Sequence, residues 1–205
     1  DLHSFPTRRS SDLVGGEIIE QHYDSYDGFV VLHGTDTMSF SASVVSFMLE
    51  NLAKPVIFTG SQLPVGVHRS DAKENLITSI EIAASKNEKG SSVVQEVCVF
   101  FEDQLMRGNR TTKRNAEEFD AFASFNYHNL AKSGVHIKFY PEYFLENRSK
   151  QALKVHKTLD NNIAILRLFP GINQHTVEAV LRTLGLKAVT PTRSEERRVG
   201  KECRS

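Results

Sequence analysis

A chain of 205 residues, 40% hydrophobic and 24% charged, carries enough apolar sequence to bury a core and enough charge to stay in water. Its 25 basic side chains (Lys plus Arg) balance its 25 acidic ones, so no global field directs it to nucleic acid or to a membrane surface. No stretch approaches the roughly 18 continuous apolar residues of a membrane helix, and Cys98 and Cys203 give neither a disulfide framework nor metal-ligand spacing, which makes a reducing cytoplasm the default compartment.

The two ends stand apart. DLHSFPTRRSSDL at the start and RSEERRVGKECRS at the end show no helical or strand periodicity. The DNA TCTTTCCCTACACGACGCTCTTCCGATCT translates as Ser4 through Asp12, with Leu13 fitting its last bases. Its reverse complement translates as Arg193 through Lys201 and fits Glu202. One DNA segment, read on both strands, accounts for both ends, and it resembles a sequencing-library adapter. Residues 1–13 and 193–205 are therefore expected to be foreign to the fold. Setting them aside removes Cys203 and leaves residues 14–192 slightly acidic.

From Gly16 the pattern is that of alternating helices and strands. GEIIEQHYD, residues 16–24, reads as the end of an amphipathic helix, and Gly28–Leu32 as a buried strand. A polar loop, HGTDT, follows. Residues 39–52 place Phe40, Val44, Phe47 and Met48 at helical spacing, with Ser39 as the expected cap and Lys54-Pro55 as the stop. VIFT, residues 56–59, is a second short strand leading into Gly60-Ser61-Gln62. Residues 71–86 predict a helix with Leu76, Ile80 and Ala83 on one face and Asp71 and Glu74 at its positive end. VVQEVCVFF, residues 93–101, is a third apolar strand, with Gly108 in the loop after it.

Repeated strand, loop and helix with short connections predict an α/β fold, a parallel sheet with helices on both faces. Between Asn126 and Gln151 the pattern loosens, and residues 141–152 are expected to form a linker closing a domain of residues 14–140. A strand at 162–172, a helix from Asn173 and a strand at LKAVT then predict the start of a smaller α/β domain over 153–192.

In an open parallel sheet, ligands bind beyond the carboxyl ends of the strands. Three loops are expected there: HGTDT, GSQ and RGNRTTK. No GxGxxG or GxxxxGK[ST] follows a strand, and no metal spacing appears, so neither a nucleotide nor a metal or other cofactor is expected. Hydroxyl chemistry remains. A threonine hydroxyl is a weak nucleophile unless a neighbour activates it. Lys113 beside Asp36 could polarise the Thr35 hydroxyl, and Asp36 could also hold a ligand ammonium. From spacing alone, turn and capping chemistry is the simpler explanation of GTDT, and a lone His33 is more often a satisfied histidine than a catalyst.

Taken together, GFVVLHGTDTM, PVIFTGSQLP, RGNRTTK and FDAFAS, in this order and spacing, resemble the bacterial L-asparaginases, especially the cytoplasmic type I branch. The resemblance covers residues 17–192. It implies hydrolysis of L-asparagine to L-aspartate and ammonia by acyl transfer through a threonine, with no cofactor, nucleic-acid or membrane partner, in a cytoplasmic homodimer or homotetramer. It implies that Thr35, Asp36 and Lys113 are catalytic, and that Gly34, Thr35, Asp36, Ser61 and Gln62 bind substrate. The alternatives are an asparaginase-like subunit of a tRNA-dependent amidotransferase and a non-catalytic α/β fragment. Two departures stand out. The family's TGGT-type motif, with its other catalytic threonine, is not found in residues 14–192, and VGGEI at 14–18 does not supply it, so the chain as written is expected to lack turnover. The usual FASPN reads FASFN, with Phe125 in place of proline.

Overall fold

The computed structural model describes residues 8–115, 119–145, 151–160 and 162–193, and divides between Lys157 and Thr158 into two compact units. The first unit begins with helix α1, Arg8–His22. It starts upstream of the expected amphipathic stretch, within the segment set aside as adapter-like. Extending a helix already nucleated costs far less than starting one, so weak local periodicity did not mark this beginning. Strand β1, Phe29–Leu32, follows, then helix α2, Met38–Met48, and the two-residue strand β2, Leu49–Glu50. Strand β3, Val56–Thr59, and helix α3, Ala72–Ala84, lead to strand β4, Val97–Phe101. Short strands complete the unit: β5 (Gln104–Arg107), β6 (Thr112–Lys113), β7 (Phe122–Ala123), β8 (Ala131–Lys132), β9 (Lys138–Phe139) and β10 (Lys154–Val155).

The principal sheet runs β1-β3-β4-β5-β8-β9. Its first three strands are parallel, with Phe29 opposite Val56 and Val56 opposite Val97. Its last three are antiparallel, so the sheet is mixed where a parallel one was expected. The reason is the connection after β4. Glu102-Asp103 is a two-residue turn, which permits a hairpin and forbids a crossover. The loosened segment beyond Asn126 contributes β8 and β9 to this sheet, and β10 pairs with β2.

Side chains alternate across the sheet. Val56, Phe58, Val97, Val99 and Phe101 pack with Met38, Ala42 and Val45 of α2 and Ile19 of α1. Ile57, Cys98 and Phe100 pack with Ile82 and Ala83 of α3 on the other face. Each helix buries a stripe that only partly overlaps the expected one, sharing Met48 in α2 and Ala83 in α3. In α2 the buried residues include Met38, Ser39, Ala42, Val45 and Met48, while Phe40 is 67% and Phe47 72% exposed. A β-carbon built on Gly108 would lie 3.2 Å from the Ala42 carbonyl oxygen, an approach that the missing side chain of Gly108 allows. Ser39 does not cap the helix, which begins one residue before it and ends at Met48, ahead of Lys54-Pro55. In α3 the buried stripe is Asn75, Thr78, Ser79, Ile82 and Ala83, leaving Ile80 52% exposed.

Glu102, first residue of the β4–β5 turn, has φ of +58°, a left-handed conformation that asparagine adopts more readily than glutamate. Burial, followed by the carboxylates of Asp103, Asp120 and Asp71, holds its carboxyl above the usual range. A carboxyl raised in the folded state loses stability as pH rises through that range. Glu102→Asn is therefore expected to gain about 1 kcal/mol from conformation. Thermal melts should show the gain larger at neutral pH than in acid.

The second unit holds strand β11 (Ile163–Leu168), helix α4 (Gln174–Leu181) and strand β12 (Ala188–Arg193), with β11 and β12 parallel. Asn173 caps α4 by accepting the His175 N–H at 2.7 Å, in the position the sequence predicts.

Candidate functional site

The site is organised by the register of β1 on β3. Leu32 lies opposite Thr59, and the His33 N–H donates to the Thr59 carbonyl at 2.8 Å. The loops 33–37 and 60–62 therefore leave the same end of the sheet side by side. Thr35, Asp36 and Thr37 form a turn into α2, and Thr37 occupies the cap position without making a side-chain cap hydrogen bond. Side-chain capping thus does not explain Thr37.

Lys113 arrives from elsewhere. RGNRTTK was expected to leave the carboxyl end of a parallel strand. Instead it follows β5, which runs antiparallel to β4 and ends with Arg107 opposite Cys98. A 3-10 turn, Gly108–Arg110, packs along α2, and the chain then reaches β6, where Lys113 pairs with Phe122 of β7. The FDAFAS segment fixes this end. Phe122 is buried against Phe101, with ring centroids 5.0 Å apart, and the Arg114 N–H donates to the Ala121 carbonyl at 2.8 Å. Arg114 also pairs with Asp120 at 3.1 Å. Phe125, where the resemblance leads one to expect proline, sits 69% exposed in the turn beyond.

The Lys113 Nζ donates to Thr35 Oγ1 at 2.9 Å and to Asp36 Oδ1 at 2.8 Å. The lysine side chain is only 17% exposed and that of Asp36 is 91% exposed. The amine is thus held on a sheltered stem against the hydroxyl, while the carboxylate faces solvent, where a ligand cation can reach it. An exposed pair of this kind adds little to stability. Its chemical capacity is larger: it can stabilise charge on Thr35 Oγ1 and pass protons between hydroxyl, amine and carboxylate. Ser61 and Gln62 occupy the neighbouring loop, where the Gln62 N–H is held by the Asp71 carboxylate. His33 is engaged locally, its Nδ1 2.8 Å from the Gly34 carbonyl oxygen. Cys98 offers no nucleophile, since burial pushes its thiol well above the usual range. Among the described residues, no group of three or more His, Cys, Asp and Glu side chains is placed to hold a metal, and no helix is long and apolar enough to cross a membrane.

Two glycines of the site differ in what they permit. A β-carbon on Gly60 would lie 2.3 Å from the His33 carbonyl oxygen and 2.9 Å from Met38 Cε. A β-carbon on Gly34 would meet nothing within 4 Å. Gly60→Ala is expected to force the two loops apart and cost about 2 kcal/mol or more in a denaturation midpoint experiment. Gly34→Ala should leave the midpoint unchanged and raise KM for a ligand that approaches that face. An unstable Gly34→Ala protein would refute the distinction.

The geometry can be set beside known proteins. Residues 13–144 match the family model described as Asparaginase, N-terminal. Over 187 residues the chain is 46% identical to the 60 kDa lysophospholipase of Mus musculus, covering 88% of this chain and 32% of that protein. Over 188 residues it is 43% identical to L-asparaginase 1 of Escherichia coli (strain K12), covering 88% of this chain and 54% of that one. The crystal structure of L-asparaginase I from Vibrio cholerae superposes with a TM-score of 0.81 at 36% identity, covering 91% of this chain and 55% of that chain. The chain thus spans between a third and about half the length of these relatives.

Proposed function

Because this chain belongs to the asparaginase family, we propose that the whole protein hydrolyses L-asparagine to L-aspartate and ammonia, with Thr35, Asp36 and Lys113 in its catalytic machinery. The observation that carries this reading is the meeting of Lys113 Nζ with Thr35 Oγ1 at 2.9 Å and Asp36 Oδ1 at 2.8 Å, across 78 and 77 positions of sequence. In the proposed reaction Asp36 receives the substrate's ammonium, and Gly34, Ser61 and Gln62 line the pocket that orients its carboxylate and amide. The attacking oxygen gives its proton to Thr35 Oγ1 as the Thr35 proton moves to Lys113 and one Lys113 proton moves to Asp36. The relay returns a proton to the departing ammonia. The attacking oxygen is first that of the other threonine, from the motif not found in residues 14–192, which forms the acyl-enzyme, and then that of water, which cleaves it.

The lysophospholipase name of the mouse relative raises ester cleavage as a competing activity. Acyl transfer serves both reactions. The charges of Asp36 and Lys113 and the polar groups of Ser61 and Gln62 match a free amino acid better than an acyl chain. The amidotransferase alternative rests on the same motifs and requires a partner subunit and tRNA. We place the protein in the cytoplasm as a homodimer or homotetramer, consistent with the exposed Phe40 and Phe47 on α2.

The test is to supply the purified whole protein with asparagine alone, then with lysophosphatidylcholine alone. Ammonia release without tRNA or partner, and no fatty-acid release, is expected. Fatty-acid release without ammonia would overturn the proposal.

A further inference from the structure

Asp71 stands at the cap position of α3, yet its side chain makes no cap hydrogen bond to that helix. An aspartate there would ordinarily accept N–H groups of the first helical turn. Its carboxylate turns instead to the loop after β3. Oδ1 and Oδ2 lie 3.1 and 3.0 Å from the Gln62 N–H donor, and Oδ1 accepts the Leu63 N–H at 3.2 Å. Oδ2 also accepts Asn75 Nδ2 at 3.2 Å.

Asn75 is 1% exposed, on a helix face where an apolar residue would be ordinary. Its amide is committed in three directions. Nδ2 donates to the Gly60 carbonyl at 2.9 Å as well as to Asp71, and Oδ1 accepts the Glu102 N–H at 2.9 Å. One buried side chain thus ties the loop after β3 to the turn after β4 and to the carboxylate that holds Gln62. Neighbouring Ser70 adds its hydroxyl to the Leu63 carbonyl at 3.0 Å and accepts the Ala72 N–H at 3.2 Å, taking up part of the cap role that Asp71 leaves.

We propose that Asp71 and Asn75 are positioning residues for the proposed substrate-binding loop, holding the backbone of Gly60, Gln62 and Leu63 so that Ser61 and Gln62 keep their place beside Thr35. This rests on the asparaginase reading for its consequence and on the hydrogen bonds alone for its geometry. A buried amide with three directed partners fixes a loop more narrowly than apolar packing does, because each lost bond leaves a desolvated polar group behind. The dyad touches no reacting atom and acts through the loop it holds.

Two measurements test this in the whole protein. Amide hydrogen exchange should show Gln62 and Leu63 exchanging about tenfold faster or more in Asp71→Ala, with protection of β4 amides retained. Asp71→Asn, which keeps an acceptor, should restore most of that protection. In asparagine hydrolysis, Asp71→Ala and Asn75→Ala should raise KM about tenfold with a smaller change in kcat, and Asp71→Asn should recover most of the loss. Unchanged exchange at Gln62 and Leu63 would overturn the inference. So would altered exchange with KM unmoved in an active enzyme, which is what a role in stability alone predicts. A wild-type protein without amide hydrolysis would refute the functional reading instead, and the exchange rates would still decide whether the dyad holds the loop.

Discussion

Replacing Lys113 by methionine in the whole protein is expected to lower kcat for asparagine hydrolysis by about a thousandfold or more. Methionine keeps an unbranched apolar stem in the sheltered channel but removes the donor 2.9 Å from Thr35 Oγ1 and 2.8 Å from Asp36 Oδ1. Charge developing on the hydroxyl then has no cation beside it, and the proton path to Asp36 is cut. Thr35→Ala should cost a similar amount. The double variant should cost little more than either single one, because groups that act as one unit are not additive. Folding should be nearly unaffected, since the Asp36 end of the pair is 91% exposed and solvent screens it. Steady-state ammonia release, read beside a thermal melt, separates the two effects. Near-wild-type kcat in both single variants would refute the assigned roles.

The sequence is legible wherever burial is two-sided. VIFT and VCVFF are continuous apolar runs because β3 and β4 are covered on both faces, and all their residues are buried. Thr35, Asp36 and Lys113 were legible as a trio through their motifs, and their contact follows from tertiary structure that no spacing displays. The short strands β5, β8 and β9 were not legible. Each takes its extended form from the strand beside it, and QLMR carries only Leu105 and Met106 as apolar signal. The helix faces misled for a related reason. Hydrophobicity favours Phe40, Phe47 and Ile80 as core residues, but α2 turns Met38, Ala42, Val45 and Met48 inward and leaves both phenylalanines outside. On α3 a buried amide at Asn75 serves two loops. A polar residue facing inward has no periodic signature, so the residues that hold the loops were the hardest to read.

The same applies to Glu96 and Arg107, whose pairing follows from the β4–β5 register. Arg107 Nε donates to Glu96 Oε2 at 2.5 Å, with the two side chains 8% and 4% exposed. Arg107 Nη2 reaches the Tyr143 carbonyl at 2.7 Å, its guanidinium lies 4.2 Å from the Tyr127 ring centre, and Glu96 Oε1 accepts the Leu145 N–H at 2.9 Å. The pair thus straps residues 127–145 to the sheet. It also anchors the segment that carries Lys113, because the Arg107 carbonyl accepts the Thr111 hydroxyl at 2.7 Å. Arg107→Met leaves a buried carboxylate without its cation and is expected to cost about 3–5 kcal/mol in urea denaturation. Glu96→Leu combined with Arg107→Met should recover part of the loss, because removing both charges abolishes the desolvation penalty that removing one exposes. A single substitution costing less than about 1 kcal/mol would place the pair among surface bridges instead. If the large cost is found with kcat also reduced in the protein that remains folded, the pair sets where Lys113 ends as well as how firmly the sheet is held.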